Sequence, residues 1–302
     1  MKQKVSLVLS GGGAKGIAHI GVIEELEKQN FKIASLTGTS MGAFVGGIYA
    51  LGKMEEFKKW LFALDKLKIF KLFDFSFSSQ GLIKGDKVIN ELKKFIPDQN
   101  IENLNLLYAA VAVDLLNKKE VVLDKGSIYE AMRASIAIPT VFTPVKKDNM
   151  LLVDGGVLNN IPINHAKRSP GDLLIAVNVN ADIPLYHPSL LKEEFETKQS
   201  IYRKKIREFQ IQLQKIIPPN KDESLDYFDL INKTIHLMIE RITLTTIEKY
   251  SPDILINISR NSCGTFDFYK AEDMYEIGCY SAKKYLEEYK KSYEQRRISE
   301  TK

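Results

Sequence analysis

The chain has 302 residues, of which 44% are hydrophobic and 27% are charged. That balance excludes a largely disordered chain, and the length suffices for one large domain or two small ones with a buried core. The net charge of +5 permits contact with an anionic membrane but does not indicate a nucleic-acid-binding protein. Cys263 and Cys279 are too few for a disulfide framework or a zinc site, so we expect a reducing compartment.

The first apolar segment does not resemble a targeting signal. Lys2 and Lys4 precede the run from Val5 to Leu9, which is too short for a signal peptide and ends at a glycine cluster. No stretch of the sequence approaches the length of a transmembrane helix. We therefore expect a cytoplasmic protein whose membrane contact, if any, is peripheral.

Two strand–turn–helix units in succession are predicted at the start of the chain. Val5 to Leu9 predicts a buried strand, followed by a glycine turn and a helix over about 14–29. A second strand, Ile33 to Leu36, leads through another glycine turn to a helix that ends near Leu51. This order predicts an α/β fold with a mostly parallel central sheet flanked by helices.

Later apolar runs extend the sheet to the far end of the chain. The segments 108–115 and 120–123 flank Asn117-Lys118-Lys119 and predict a hairpin. Three more short strands are expected at 151–153, 173–179 and 254–258. We therefore predict one domain, in which residues 5–167 form a catalytic core that carries all the motifs, 168–295 complete the same domain, and 296–302 form a polar, frayed tail.

Two helical insertions interrupt this pattern. Met54 to Phe77 is rich in lysine and aromatic residues, and Leu190 to Tyr250 predicts two long helices separated by Pro218-Pro219-Asn220. One face of the first insertion collects Phe57, Trp60, Leu61 and Leu64. Such a face fits a helix packed on the core and equally a flap or a surface that contacts anionic lipid.

The segment Gly38-Thr39-Ser40-Met41-Gly42 is a G-x-S-x-G motif between a strand and a helix. In that context the serine occupies a strained turn that exposes its Oγ at the edge of the sheet, above a helix N-terminus that favours negative charge. Ser40 is therefore the candidate nucleophile. A glycine-rich turn with an incidental serine is the alternative.

A second glycine-rich turn, Gly11-Gly12-Gly13-Ala14-Lys15-Gly16, also lies between a strand and a helix. A dinucleotide site would require an acidic residue at the end of the second strand, and a P-loop would require Lys-Ser/Thr after Gly16; neither is present. The remaining interpretation is a nest of backbone N–H groups that would stabilise an oxyanion.

A serine nucleophile requires a base, and no histidine lies in a distinctive motif. The four histidines are His19, His165, His187 and His236, of which His165 best fits a Ser-Asp-His order. Asp154 is a stronger candidate, because it ends an apolar strand and is followed by Gly155 and Gly156. An ordinary Asp-Gly turn is the alternative for this segment.

Taken in order, these blocks resemble the patatin-like phospholipase family. The resemblance covers about Val5 to Lys167 and rests on 11–16, 38–42, 154–156 and the A-S-x-x-x-P segment at 134–139. It implies a modified α/β-hydrolase fold, a Ser40–Asp154 dyad without histidine, and a covalent acyl-serine intermediate. It also implies an oxyanion hole at Gly11, Gly12 and Gly13.

The resemblance further implies a lipid acyl ester as substrate, of the phospholipase A or lysophospholipase kind, and no metal or cofactor. Lys15 matches a basic position of the family and would face a phosphate headgroup, although a solvated lysine in a first helical turn is the alternative. Two rival functions remain: a Ser-His-Asp esterase that uses His165, and a non-catalytic lipid-binding module on the same scaffold.

Overall fold

A computed structural model describes residues 2–72, 75–78, 81–185 and 227–300. Within these ranges the strands are β1 Gln3–Leu9, β2 Phe31–Thr39, β3 Phe75–Ser78, β4 Gly81–Ile83, β5 Leu107–Asp114, β6 Lys119–Leu123, β7 Val145–Lys147, β8 Met150–Asp154, β9 Leu173–Ala181 and β10 Ile254–Ser259. The α-helices are α1 Ala18–Lys28, α2 Met41–Ala50, α3 Met54–Phe62, α4 Lys66–Leu72, α5 Asp86–Lys93, α6 Ile128–Ser135, α7 Tyr227–Tyr250 and α8 Ala271–Glu300.

The central sheet is mixed but mostly parallel, as the sequence predicted. Its strand order is β10-β9-β1-β2-β5-β8-β7, with β6 also paired to β5. The first five strands of that order run parallel, whereas β6 and β8 pair with β5 in antiparallel fashion and β7 pairs with β8 likewise. The β5–β6 pair confirms the predicted hairpin.

Both faces of the sheet are covered, which explains why β1 is a continuous buried run. Alternate side chains of a strand point to opposite faces. Leu7 and Leu9 belong to the large core beneath α1, α2 and α8, whereas Val8 joins a smaller cluster on the other face with Ile161 and Ile163. A central strand of this kind has no solvated side, and it therefore shows no polar alternation.

The first predicted helix is divided into two parts. A 3-10 turn, Gly13–Ile17, precedes α1, which begins only at Ala18. Gly13 has a φ of 58°, outside the helical region, and the Ala14 N–H donates to the carbonyl of Thr265 at 2.9 Å. The loop that contains Thr265 thus holds the backbone of the glycine nest, and regular α-helix begins only after the nest.

The apolar face of α3 packs into the core, which is one of the two roles that the sequence left open. Phe57 and Leu61 are buried, and Trp60 packs on Phe57 and Phe95 with ring centroids 5.9 Å and 6.1 Å away. The Lys58 ammonium lies 2.6 Å from the carboxylate of Glu24. Peripheral contact with an anionic membrane stays a prediction.

The ends of the two insertions lie partly outside the described residues. Only α7 of the predicted helix pair in 190–250 is described, and the aromatic side chains at 70, 73, 75 and 77 are not. Helix α8 continues to Glu300, so residues 296–300 of the expected polar tail are helical. None of the helices in the described ranges is long and apolar enough to cross a bilayer.

Candidate active site

Ser40 occupies a strained turn between β2 and α2. Its backbone has φ 53° and ψ −126°, a region that residues other than glycine rarely adopt. The side chain is 5% exposed. A serine forced into this conformation at the start of a helix has the geometry of a nucleophile elbow, in which the turn directs Oγ away from the strand.

The register of three strands brings Asp154 to the same level as Ser40. Thr39, at the end of β2, pairs with Val111 of β5, and Asp154, at the end of β8, pairs with the adjacent Ala112. The sequence indicated only that Asp154 ends an apolar strand. Strand β8 is antiparallel to β5, and Asp154 approaches Ser40 because β8 ends partway along β5.

Burial makes the Asp154 carboxylate an unusually good proton acceptor. The side chain is 5% exposed, and this desolvation raises its pKa from 3.8 to about 6, against the opposing effects of hydrogen bonds from Ser40 and from the Gly156 N–H. Oδ1 accepts from the Gly156 N–H at 2.7 Å. The Ser40 hydroxyl is within reach of the carboxylate, yet Oδ2 has no partner of standard hydrogen-bond geometry in the described structure. Contacts of this kind commonly tighten when substrate binds.

The glycine nest lies beside the elbow, and its three amides are not equivalent. A Cβ placed on Gly11 would lie 3.0 Å from the Ser40 Cβ, so the two turns are adjacent. The Gly11 N–H, however, donates to the carbonyl of Asn160 at 2.9 Å. Gly11 was expected to share in an oxyanion hole, but its donor is already engaged. Among the described residues, the N–H groups of Gly12 and Gly13 have no such acceptor.

Four of the predicted motif glycines mark points where two backbones or a backbone and a side chain meet. These four are Gly16, Gly38, Gly42 and Gly155. A Cβ atom added to any of them would lie only 2.3 to 2.5 Å from an atom of another residue. At Gly42 the clash would be with the carbonyl of Leu9, at the end of β1. The absence of a side chain there lets α2 start directly against the strand that leads into the nest.

Ser135 holds the elbow from below, a role that sequence reasoning missed. Its hydroxyl accepts from the Ser40 N–H at 2.9 Å and donates to the carbonyl of Val111 at 2.6 Å. The side chain is fully buried. The A-S-x-x-x-P block contains this residue, and the block was the available signal, but spacing along the chain does not reveal contact with a turn 95 residues away.

Lys15 is buried, so the alternative of a solvated lysine is wrong. Its side chain is 7% exposed, and desolvation lowers its pKa, as does the neighbouring Arg260, while Cys263 and Asp267 oppose that shift. No carboxylate among the described residues pairs with it within ion-pair distance. A buried ammonium two residues after Gly13 therefore lies close to the nest, with its charge uncompensated by direct contact.

Two of the three described histidines are engaged with groups other than Ser40; the third, His236, lies near Lys15 and Arg260, whose charges add to burial in lowering its pKa. His19 is fully buried, its Nε2 donates to the carbonyl of Ser10 at 2.8 Å, and burial lowers its pKa to about 4. His165 Nε2 lies 2.6 Å from Glu120 Oε2. His236 is on α7, and His187 lies outside the described residues. In the described ranges no cluster of His, Cys, Asp or Glu side chains is arranged to hold a metal ion.

Comparison with protein families gives a match over the segment that contains the site. The family model described as "Patatin-like phospholipase" matches residues 7–167. That range includes the nest, the elbow, Ser135 and Asp154, and it ends at the boundary expected for the motif-bearing core.

Comparison with individual proteins extends the likeness along the chain. An NTE family protein of Mycobacterium tuberculosis is 30% identical over 91% of this chain and 89% of its own length. The protein named lysophospholipase NTE1 of Candida albicans is 29% identical over 59% of this chain and 13% of its own length. Among solved structures, VipD from Legionella pneumophila matches 94% of this chain and 67% of its own, with 15% identity and a TM-score of 0.46.

Proposed function

The chain belongs to the patatin-like phospholipase family, and on that premise we propose that it hydrolyses fatty acyl esters of lipids through Ser40 and Asp154. The observation that carries this proposal is the pairing of a strained, buried serine with a buried carboxylate whose pKa is raised to about 6. A carboxylate with an ordinary pKa near 4 would be a feeble base for a serine hydroxyl.

In the acylation step, Ser40 Oγ attacks the ester carbonyl while Asp154 accepts the hydroxyl proton. The carbonyl oxygen becomes negatively charged, and the N–H groups of Gly12 and Gly13 stabilise it; one such donor is worth about 3–4 kcal/mol of transition-state stabilisation. Asp154 then protonates the leaving alcohol as the C–O bond breaks. The fatty acyl group is left on Ser40.

In the deacylation step, Asp154 removes a proton from water, which attacks the acyl carbonyl. The tetrahedral oxygen again lies at the nest, and the Ser40 Oγ leaves with the proton that Asp154 returns. The fatty acid is released and both residues regain their starting states. The same carboxylate thus alternates between base and acid in both half-reactions.

Lys15 and the relatives support a phospholipid as the class of substrate. A buried ammonium that has no carboxylate partner among the described residues is suited to an anionic group, and a phosphate headgroup beside the nest would compensate its charge. The likeness to a protein named lysophospholipase supports a phospholipid or lysophospholipid substrate. We include Lys15 as a headgroup-binding residue on these grounds.

A fluorophosphonate probe tests the nucleophile directly. The probe should label the wild-type protein. The release of fatty acid should stop as labelling proceeds, because phosphonylation consumes the Ser40 hydroxyl. Ser40→Ala should abolish both. Ser281→Ala, a buried serine on α8, is the matched control and should leave both unchanged.

Two outcomes contradict the proposal. Labelling that persists in Ser40→Ala would place the reactive serine elsewhere. A wild-type protein that binds phospholipid vesicles but neither reacts with the probe nor hydrolyses any of a panel of phospholipids, lysophospholipids and neutral lipids would favour the non-catalytic binding module.

A further inference from the structure

The peptide group between Gly11 and Gly12 is held on one side by side chains of other elements. The Gly11 carbonyl accepts from Asn180 Nδ2 at 2.7 Å and, more weakly, from Asn160 Nδ2 at 3.5 Å. A carbonyl oxygen can only accept, so the atom that Asn180 presents to it is the NH₂ group. Asn180 lies near the end of β9, the neighbour of β1 in the sheet.

Fixing the carbonyl of this peptide also fixes the direction of its N–H. The peptide unit is planar and trans, so the Gly12 N–H points opposite to the Gly11 carbonyl. The N–H of Gly12 is consequently directed away from the side on which Asn180 holds the oxygen. Without that hydrogen bond, a glycine–glycine peptide has little steric reason to keep one orientation.

The preceding peptide is held at both ends as well. The Ser10 carbonyl accepts from His19 Nε2 at 2.8 Å, and the Gly11 N–H donates to the Asn160 carbonyl at 2.9 Å. Asn180 therefore acts on a loop whose entry is already fixed. The peptide that it holds is the first one in the nest whose N–H has no acceptor among the described residues.

Asn180 is itself anchored. Its own N–H donates to Asn178 Oδ1 at 3.0 Å, and Asn178 is 4% exposed. The intervening Val179 N–H donates to Ser10 Oγ at 3.1 Å. The end of β9 and the start of the nest are thus joined by a short series of hydrogen bonds, which fix the backbone that carries the Asn180 side chain.

We propose that Asn180 is a positioning residue that aims the Gly12 N–H at the oxyanion formed during ester hydrolysis. This inference rests on the proposed function, because it requires that Ser40 generate a tetrahedral intermediate beside the nest. Asn180 touches neither the substrate nor the reacting atoms. It acts through the orientation of one peptide group.

The test compares two isosteric substitutions on adjacent strands. Asn180→Asp removes the donor and places a carboxylate oxygen against the Gly11 carbonyl. Asn257→Asp makes the same chemical change on β10, at a residue of similar burial whose partner in the strand register is Asn178 rather than a residue of the nest. We expect kcat of Asn180→Asp to fall by about ten- to hundredfold relative to Asn257→Asp, with KM within about twofold, because the interaction is made only in the transition state.

A pair of inhibitors separates positioning from a structural effect. A long-chain trifluoromethyl ketone forms a tetrahedral oxyanion on Ser40, whereas the corresponding alkyl amide binds as an uncharged ground-state analogue. Asn180→Asp should lose affinity for the ketone in proportion to its loss in kcat/KM and keep its affinity for the amide. If Asn180→Asp does not fold, as judged by thermal unfolding, Asn180→Ser provides the same comparison without an added charge.

Equal losses of affinity for the ketone and the amide in Asn180→Asp would overturn the inference, as would a kcat within about twofold of that of Asn257→Asp. In either case the proposed function stands as long as hydrolysis by the wild-type protein depends on Ser40. If wild-type hydrolysis does not depend on Ser40, the proposed function fails and this inference fails with it.

Discussion

Two pairs of side chains lie on segments that contact β2, Ser40 with Asp154 and His165 with Glu120; each pair contains a group that can accept a proton, and burial distinguishes them. Ser40 and Asp154 are each 5% exposed, whereas the His165 and Glu120 side chains are 26% and 28% exposed. Asn159 lies between the pairs: its carbonyl accepts from Thr39 Oγ1 at 2.9 Å, and its Nδ2 donates to Glu120 Oε2 at 2.8 Å.

The difference shows how a carboxylate can take the place that histidine holds in most serine hydrolases. Removal from water disfavours the charged form of Asp154, and its pKa rises to about 6, within the range usual for imidazole. The His165–Glu120 pair is partly solvated, and its attraction is screened accordingly. In the proposed mechanism, desolvation rather than position alone therefore selects Asp154 as the base.

Of the substitutions in the two pairs, Asp154→Asn should cause the largest loss of activity. The substitution keeps the shape of the side chain and the acceptor for the Gly156 N–H but removes the proton acceptor. We expect kcat to fall by about a thousandfold or more, the scale seen when a catalytic base or its orienting partner is removed. Steady-state hydrolysis of a lysophospholipid, with thermal unfolding to check the fold, measures this. Retention of more than about a tenth of the wild-type rate would contradict the dyad.

The pH dependence of kcat/KM should report the same carboxyl group. Asp154 can accept a proton only when ionised, so activity should be full above its pKa and fall by about tenfold per unit below a midpoint near 6. An imidazole base would give a midpoint in the same region. The two are separated by temperature, because carboxyl ionisation is nearly athermal whereas the pKa of an imidazole falls on warming.

Measuring the acidic limb at two temperatures about 25 degrees apart therefore decides between the pairs. A midpoint that stays in place supports Asp154, and one that moves to lower pH on warming supports a histidine. The same series on His165→Ala provides the control, since a limb that persists unchanged in that variant cannot belong to His165.

His165→Ala should have the smallest effect. The histidine pairs with Glu120 rather than with Ser40, and Glu120 keeps its hydrogen bond from Asn159. We expect kcat/KM to change by less than about threefold and the free energy of unfolding by less than about 1 kcal/mol, as for the loss of a partly exposed polar contact. A loss as deep as that of Asp154→Asn would restore the Ser-His-Asp alternative.

The sequence predicted the elements whose conformation depends on near neighbours. The strand–turn–helix units around Gly12 and Ser40 were evident from glycine spacing and apolar runs, and so was the β5–β6 hairpin. These features are dictated by sterics within a few residues, so a local pattern suffices to indicate them. Asp154 was likewise selectable from its position at the end of an apolar strand.

The availability of each group was decided by tertiary structure. The Gly11 amide is occupied by Asn160, the apolar face of α3 is core, and Lys15 is buried, although each sequence segment allowed another role. Ser135 and Asn180 act on glycine and serine turns that are distant in the chain. Hydrogen-bond occupancy across such separations depends on strand register, which a local motif does not encode.

What the sequence by itself determined is the chemical inventory: a serine in an elbow, a glycine nest, and a carboxylate next to two glycines. The tertiary structure decided that the serine and carboxylate meet, because β8 ends opposite Ala112 of β5. It also decided that the carboxylate is basic, since the pKa of Asp154 depends on the water that the surrounding elements exclude. Desolvation is a property of the packed molecule and is absent from any segment taken alone.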